Sequence, residues 1–297
     1  MTVLWMIIGA IIVLIVSVAW YASLEITRIP YLEVPYRPDD FGWTYETVSF
    51  RSFDGLRLSG WFVPAATPSP VTIIIQHGIG SNAGDMLLNT ACLQRVGRWN
   101  LFYYNFRGHA DSEGKRTSLG PLELKDLDNA IAFLKSQKPE CCKRLGIYGH
   151  SLGAAVAIAG AAQHPELSAV AAESSFSYIY KTVRHFSWLY YSIPYFPFIP
   201  LALWFASLRL GRRIGDFAPV EAIRKIAPRP LLLIQPENDR RTPMWDFAEL
   251  VEAAGEPKSI WVVPGADHGE PWMVDKEGYE QRLVNFFIKA FESGQGG

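Results

Sequence analysis

The pentapeptide Gly149-His150-Ser151-Leu152-Gly153 lies between an apolar run, "LGIY" at 145–148, and an alanine-rich segment, "AAVAIAGAAQ". Gly-x-Ser-x-Gly at a strand-to-helix join makes a sharp turn with the serine at its tip. The flanking glycines keep side chains out of the crowded bend. Ser151 would then stand at the start of a helix, whose dipole favours the negative charge that builds during acyl transfer. A serine hydroxyl is a poor nucleophile near neutral pH and needs a base. That base, an imidazole, needs a carboxylate to fix its tautomer and stabilise its charged form.

Of the six histidines, His268 in "GADHGEP" alone follows the last strand-like run on a short, glycine-bounded loop. It is the expected general base. His77 starts a turn, His109 lies in a glycine-containing loop and His150 is inside the elbow. His164 precedes Pro165, and His185 lies in an insertion. Asp239, in "PENDRRTP" after the run 231–235, is the leading carboxylate. Glu237, Asp267 and Glu173 are its rivals, with Asp267 read as a loop-shaping residue. The developing oxyanion needs donors already in place. The backbone N–H of Leu152, next to the nucleophile, is one. The N–H of Ile79, in the glycine-bearing loop "QHGIGSN", is assigned as the second.

Elements that could position these groups alternate along the chain. "YETVSFRSFDGLRLSGWFVP" (45–64) reads as two strands joined at Asp54-Gly55, a hairpin signal. Strand-like runs follow at 71–76, 101–106, 144–149, 167–174, 229–236 and 259–264. Helix-like segments fall at about 84–97, 121–137, 151–163, 243–254 and 275–291. This alternation predicts an α/β fold: a mostly parallel central sheet with helices on both faces and an N-terminal antiparallel hairpin at its edge. One domain is expected over 44–292. An insertion at about 174–229 breaks the rhythm. Its stretch 185–211 is dense in aromatics and interrupted by Pro194, Pro197 and Pro200. Those prolines argue against a second spanning helix, so an aromatic lid is expected. Trp188, Tyr191 and Phe196 are its candidate substrate contacts, although such aromatics serve equally well as the lid's own core.

From Val3 to Leu24 no residue is charged. That length suffices for a membrane-spanning helix, which needs about 20 apolar residues. Residues 1–25 are read as a transmembrane anchor. A cleaved signal peptide is the alternative, since Ser17-Val18-Ala19 is a small-x-small site. Residues 26–43, rich in proline, tyrosine and charge, read as a linker. Arg28 and Arg37 follow the apolar segment and no basic residue precedes it, which leans the domain toward the cytoplasmic side. Secretion follows if the N-terminus is cleaved. A net charge of −1 leaves no basic footprint for nucleic acid, and no zinc-type Cys/His spacing is present. Cys92, Cys141 and Cys142 make no disulfide framework.

Taken with "SFDGLRLSGWFVP", "NFRGHADSEG", "GHSLGA", "AESSF" and "GADHG", these motifs resemble the α/β-hydrolase superfamily. More narrowly, they resemble its serine aminopeptidase-like, α/β-hydrolase-domain proteins that often carry an N-terminal membrane anchor. The likeness spans roughly 45–292, and the chain order Ser151…Asp239…His268 is the superfamily's order. It implies hydrolysis of an ester, thioester or amide by a serine nucleophile, with no cofactor and no metal. Asn105 and Ala110 depart from it, standing where relatives usually have Asp and Gly. The expected activity is serine hydrolysis of an apolar, lipid-like acyl ester or thioester, with the membrane as partner through the N-terminal helix. A peptidase or amidase of the same fold, with Arg107, Arg184 or Glu173 as a charged anchor, is one alternative. A non-catalytic binding protein is the other. An aspartate nucleophile, as dehalogenase or epoxide-hydrolase chemistry would want, is disfavoured by Ser151 at the elbow.

Overall fold

A computed structural model describes residues 1–292. The chain opens with α1 (Thr2–Glu25), followed by irregular chain that includes one 3₁₀ turn at Pro38–Phe41. The antiparallel hairpin β1 (Glu46–Arg51) and β2 (Arg57–Val63) turns through Gly55 at φ +86°. Alternation then begins: β3 (Val71–Gln76), α2 (Ala83–Val96), β4 (Asn100–Tyr104), α3 (Pro121–Gln137), β5 (Arg144–His150), α4 (Leu152–Gln163) and β6 (Leu167–Glu173). The insertion contributes α5 (Ile179–Tyr191), α6 (Phe198–Leu210) and α7 (Pro219–Ile223). The chain closes with β7 (Leu231–Pro236), α8 (Met244–Ala253), β8 (Lys258–Val263), α9 (Pro271–Val274) and α10 (Lys276–Glu292).

The eight strands form one sheet in the order β1-β2-β4-β3-β5-β6-β7-β8. β2 pairs antiparallel with β1 and with β4, and every other pairing is parallel. Strand side chains alternate between two cores. Ile74, Phe102, Ile147 and Val170 pack on one face, and Ile73, Ile75, Tyr103 and Tyr148 on the other. Both faces are covered by helices, which is why β3 and β5 read as continuous apolar runs. Burying each large apolar side chain stabilises the fold by roughly 1.5–3 kcal/mol. The sheet, the hairpin and the alternation match the sequence reading, with element ends shifted by only one or two residues at most sites.

The insertion is helical but broken. α5 and α6 are separated by a turn over 192–197 that holds Pro194 and Pro197, and Pro200 sits in the first turn of α6. Residues 26–43 are irregular, as their composition implied, but they are packed against the domain. The Asn82 side-chain amide donates to the Glu33 carbonyl at 3.1 Å, and a Cβ on Gly84 would stand 2.5 Å from the Tyr36 carbonyl. Pro30 lies against Gly80 and Ile29 against Gly108. The segment is a strap drawn over the loops that follow β3 and β4.

Candidate active site

Ser151 sits between β5 and α4 at φ +55°, ψ −116°, a conformation that side-chain-bearing residues seldom adopt. Its neighbours make the bend achievable. A Cβ on Gly149 would stand 2.2 Å from the Gly153 carbonyl oxygen, and one on Gly153 would stand 2.5 Å from the Gln76 carbonyl oxygen. The Ser151 N–H donates to the Glu173 carbonyl at 2.8 Å, tying the elbow to the end of β6.

His268 follows β8 on the loop before α9. Its Nδ1 lies 2.8 Å from Asp239 Oδ2. The Asp239 carboxylate accepts that proton, which leaves Nε2 with the lone pair a general base needs. Asp239 itself is fixed by the Arg241 and Thr242 N–H groups, each at 2.8 Å, and by the Thr242 hydroxyl at 2.7 Å. Burial pushes its pKa up, but His268 and the Thr242 donors outweigh that and hold it below the usual carboxylate range. His268 is driven below the ordinary imidazole value, first by burial and then by nearby His150, against the pull of Asp239. The imidazole is therefore neutral near pH 7, the form a general base needs. The rival carboxylates serve elsewhere. Asp267 accepts the His268 N–H at 2.7 Å, and Glu237 accepts the Gly265 N–H at 2.9 Å; both shape the loop.

Ser151 and His268 line one cavity of about 300 Å³, together with Ile79 and Leu152. The Ser151 hydroxyl makes no hydrogen bond among the described residues. Its contact with Nε2 is open in this conformation, as is common before substrate binds. Leu152 is the first residue of α4, so its N–H has no partner within the helix. Ile79 is oriented by His77. The Phe106 N–H donates to His77 Nε2 at 3.0 Å, so Nδ1 carries the proton and donates to the Gly78 carbonyl at 2.7 Å. In the trans peptide the Ile79 N–H points opposite to that carbonyl. Burial holds His77 well below the ordinary imidazole range, so this orienting ring stays neutral. The orienting role of His77 was missed from sequence, although its place directly before Gly78 was the available signal.

Glu173 is buried at the end of β6. It accepts hydroxyl protons from Tyr148 (2.9 Å) and Tyr279 (2.8 Å), and its other oxygen lies 3.4 Å from His150 Nδ1. It supports the elbow histidine, whose ring centre is 5.0 Å from that of His268. Arg107 is equally committed, to Asp126 at 2.7–2.8 Å and to Asp54 at 2.9 Å. Neither lines the catalytic cavity. Asn105 accepts the Ala83 N–H at 2.8 Å and donates to the Ser59 hydroxyl at 3.1 Å, so it braces the start of α2. Ala110 holds φ +45°, the left-handed region a glycine would enter without strain.

The lid divides the three aromatic candidates. Tyr191 lines the catalytic cavity. Trp188 lines a separate cavity with Arg184 and Trp245 on the other face of α5, and Phe196 projects to solvent at 78% exposure. Phe196 lies in the turn after α5, and the place of Trp188 follows from helix phase. Ile179, Val183, Phe186 and Tyr190 recur at helical spacing on the face toward Ser151, and residue 188 falls opposite. That spacing was legible in the sequence. The cavity is closed on another side by Glu25 and Ile26 at the end of α1, which no sequence pattern indicated.

A family model described as X-Pro dipeptidyl-peptidase (S15 family) matches residues 99–188, the stretch that holds the elbow. The uncharacterized protein YqkD of Bacillus subtilis is 28% identical over 251 residues, covering 80% of this chain and 81% of that protein. The α/β hydrolase domain-containing protein WAV2 of Arabidopsis thaliana is 24% identical, over 86% of this chain and 82% of its own length. Among solved structures, the esterase Pf2001 of Pyrococcus furiosus superposes with a TM-score of 0.72 at 28% identity, over 88% of this chain and 98% of that one. The eight-stranded sheet, the strained serine elbow and these likenesses converge: the chain has the α/β-hydrolase fold and is a hydrolase similar to members of that superfamily.

Proposed function

We propose that this protein is a membrane-tethered serine hydrolase that cleaves carboxylic ester or thioester bonds of an apolar acyl substrate. The observation that carries the reading is His268, 2.8 Å from Asp239, lining the same cavity as the strained Ser151. His268 Nε2 takes the Ser151 proton as Oγ attacks the acyl carbon. The tetrahedral oxyanion is met by the N–H groups of Leu152 and Ile79. His268 returns the proton to the departing alcohol or thiol, leaving an acyl-Ser151 ester. Water, deprotonated by the same imidazole, then attacks that ester, and the acid product leaves as Ser151 regains its proton. No cofactor enters any step.

The lid face supports an apolar acyl group, because Ile179, Val183, Phe186 and Tyr190 line the cavity. α1, 24 residues long with mean hydropathy 2.8 over an 18-residue window, supports membrane tethering. The basic residues after it favour a cytoplasmic domain. The test is fluorophosphonate labelling with a p-nitrophenyl ester series from acetate to dodecanoate. A covalent adduct at Ser151 and turnover reaching the long chains are expected. Ser151→Ala should abolish the adduct and lower kcat by at least about 10³-fold. Full turnover in that variant would sink the reading.

Amide cleavage is a second reading, favoured by the partial match to a dipeptidyl-peptidase model. Glu25 is the carboxylate among the residues lining the cavity, but it lies 3.6 Å from Arg28 and is partly neutralised. Turnover of aminoacyl p-nitroanilides above that of the esters would favour this reading.

A further inference from the structure

We infer that the last turn of α1 is a wall of the acyl-binding cavity, and that the cavity mouth opens at the bilayer, so that its substrate is a membrane-resident long-chain acyl ester taken from the lipid phase. This deepens the ester-hydrolase reading and rests on it.

The first observation is direct. Glu25 and Ile26 line the cavity that holds Ser151 and His268, together with Phe186 and Tyr190 of the lid helix α5. The second is that α1 is clamped in place. The Arg209 guanidinium, on α6, donates to the Ser23 hydroxyl (3.0 Å), the Ser23 carbonyl (2.5 Å) and the Thr27 hydroxyl (2.9 Å). The Trp20 and Phe205 rings meet edge to face at 5.4 Å, and Ala19 and Ser23 are fully buried. The strap beyond continues the contact: the Thr117 N–H donates to the Thr27 carbonyl at 3.1 Å, and Pro30 abuts Gly80 in the loop that carries the Ile79 donor.

Length then fixes depth. A 24-residue helix is about 36 Å long at 1.5 Å per residue, and a hydrocarbon core is about 30 Å thick. The outer residues from Val3 to Val16 are largely exposed, which suits a lipid surround. Trp20 to Glu25 then fall at the interface, and α6, packed against them, falls there too. Trp204 and Leu208 of α6 are exposed beside this seam, as are Tyr190 and Tyr191 at the end of α5. An acyl chain lying in the bilayer would reach Ser151 between Ile26 and the lid.

The experiment uses the full chain in lipid nanodiscs. Ile26→Trp should fill the cavity and lower the ratio of dodecanoate to acetate kcat/KM by at least about tenfold. Ile26→Ala should raise that ratio. Cis-parinaric acid, a fluorescent fatty acid, should bind the Ser151→Ala protein saturably and at least about tenfold more weakly when Ile26→Trp is added. In vesicles of dibrominated phosphatidylcholine, Trp204→Phe should remove part of the lipid quenching of tryptophan fluorescence. An unchanged chain-length ratio and unchanged parinaric acid binding in both Ile26 variants would overturn the wall. So would failure of the fatty acid to bind at all. Unaltered quenching in Trp204→Phe would overturn the bilayer opening. If Ile26→Trp does not fold, Ile26→Ala decides. If no ester is turned over but fatty-acid binding still depends on residue 26, the wall stands and the hydrolase reading falls.

Discussion

Ser151 keeps a sparsely populated positive-φ backbone that costs a side-chain-bearing residue about 1–3 kcal/mol, and Asp239 commits all its acceptor capacity to one loop and one imidazole. Together these fix where the proton must travel. Burial lowers the pKa of His268, so its neutral form persists to lower pH than in a free imidazole. Activity needs that neutral form. The acid limb of the kcat/KM profile should therefore have its midpoint below the ordinary value of about 6.5. Asp239→Asn keeps the shape of the contact but offers Nδ1 the wrong partner, and should lower kcat on the order of 10³–10⁴-fold. A midpoint above 6.5, or an Asp239→Asn variant with near-normal kcat, would remove His268 from the role of base. Stopped-assay kinetics across pH 4–9 on the best ester reads both.

At the level of elements, the site depends on how closely α4 approaches the end of β3. A Cβ at Gly153 would stand 2.5 Å from the Gln76 carbonyl and 2.7 Å from the His77 carbonyl. Gly153→Ala must push the start of α4 away from the oxyanion loop. Destabilisation of about 1–3 kcal/mol is expected, with at least a tenfold loss of kcat because the two donors separate. A melting curve and a kinetic assay on one preparation separate these effects. Whereas the approach of Gly153 to Gln76 joins residues far apart in the chain, the bend at Ser151 was legible from the sequence, because Gly-x-Ser-x-Gly between a strand and a helix encodes it locally. The same holds for the eight strands, whose β-branched runs and period-two hairpin are short-range signals. The lid was legible in kind but not in detail. Its prolines predicted a break between helices, and the break lies at 192–197. Its inward face follows from the phase of α5, a spacing the sequence carried but that was not used, so Trp188 was assigned to the site while Phe186 and Tyr190 were not; Phe196 lies in the turn beyond that helix. The packing of the strap was invisible, because its contacts join residues far apart in the chain, such as Glu33 with Asn82 and Thr27 with Thr117.

Across the whole molecule, the sheet places Ser151, Asp239 and His268 at the ends of β5, β7 and β8, while α1 reaches the same cavity from outside the sheet. α1 and the sheet domain are coupled by the Arg209 guanidinium, with three acceptors on α1 and the turn after it, and by the Arg116 guanidinium and Thr117 N–H on Thr27. Arg209→Ala leaves the buried Ser23 and Thr27 hydroxyls without that donor and strips the cation from the Trp20 face, 5.8 Å away. A loss of about 1–3 kcal/mol of stability is expected. Arg209→Lys should recover only part of it, because a compact ammonium cannot reproduce the planar fork. The loosening should be local. Limited proteolysis in nanodiscs should cut between residues 26 and 45 faster in Arg209→Ala than in the parent, with the sheet domain surviving as a resistant fragment. Equal cleavage rates would mean that α1 is held to the domain by its remaining contacts, the Trp20–Phe205 pair and the Thr27 hydrogen bonds to Arg116 and Thr117.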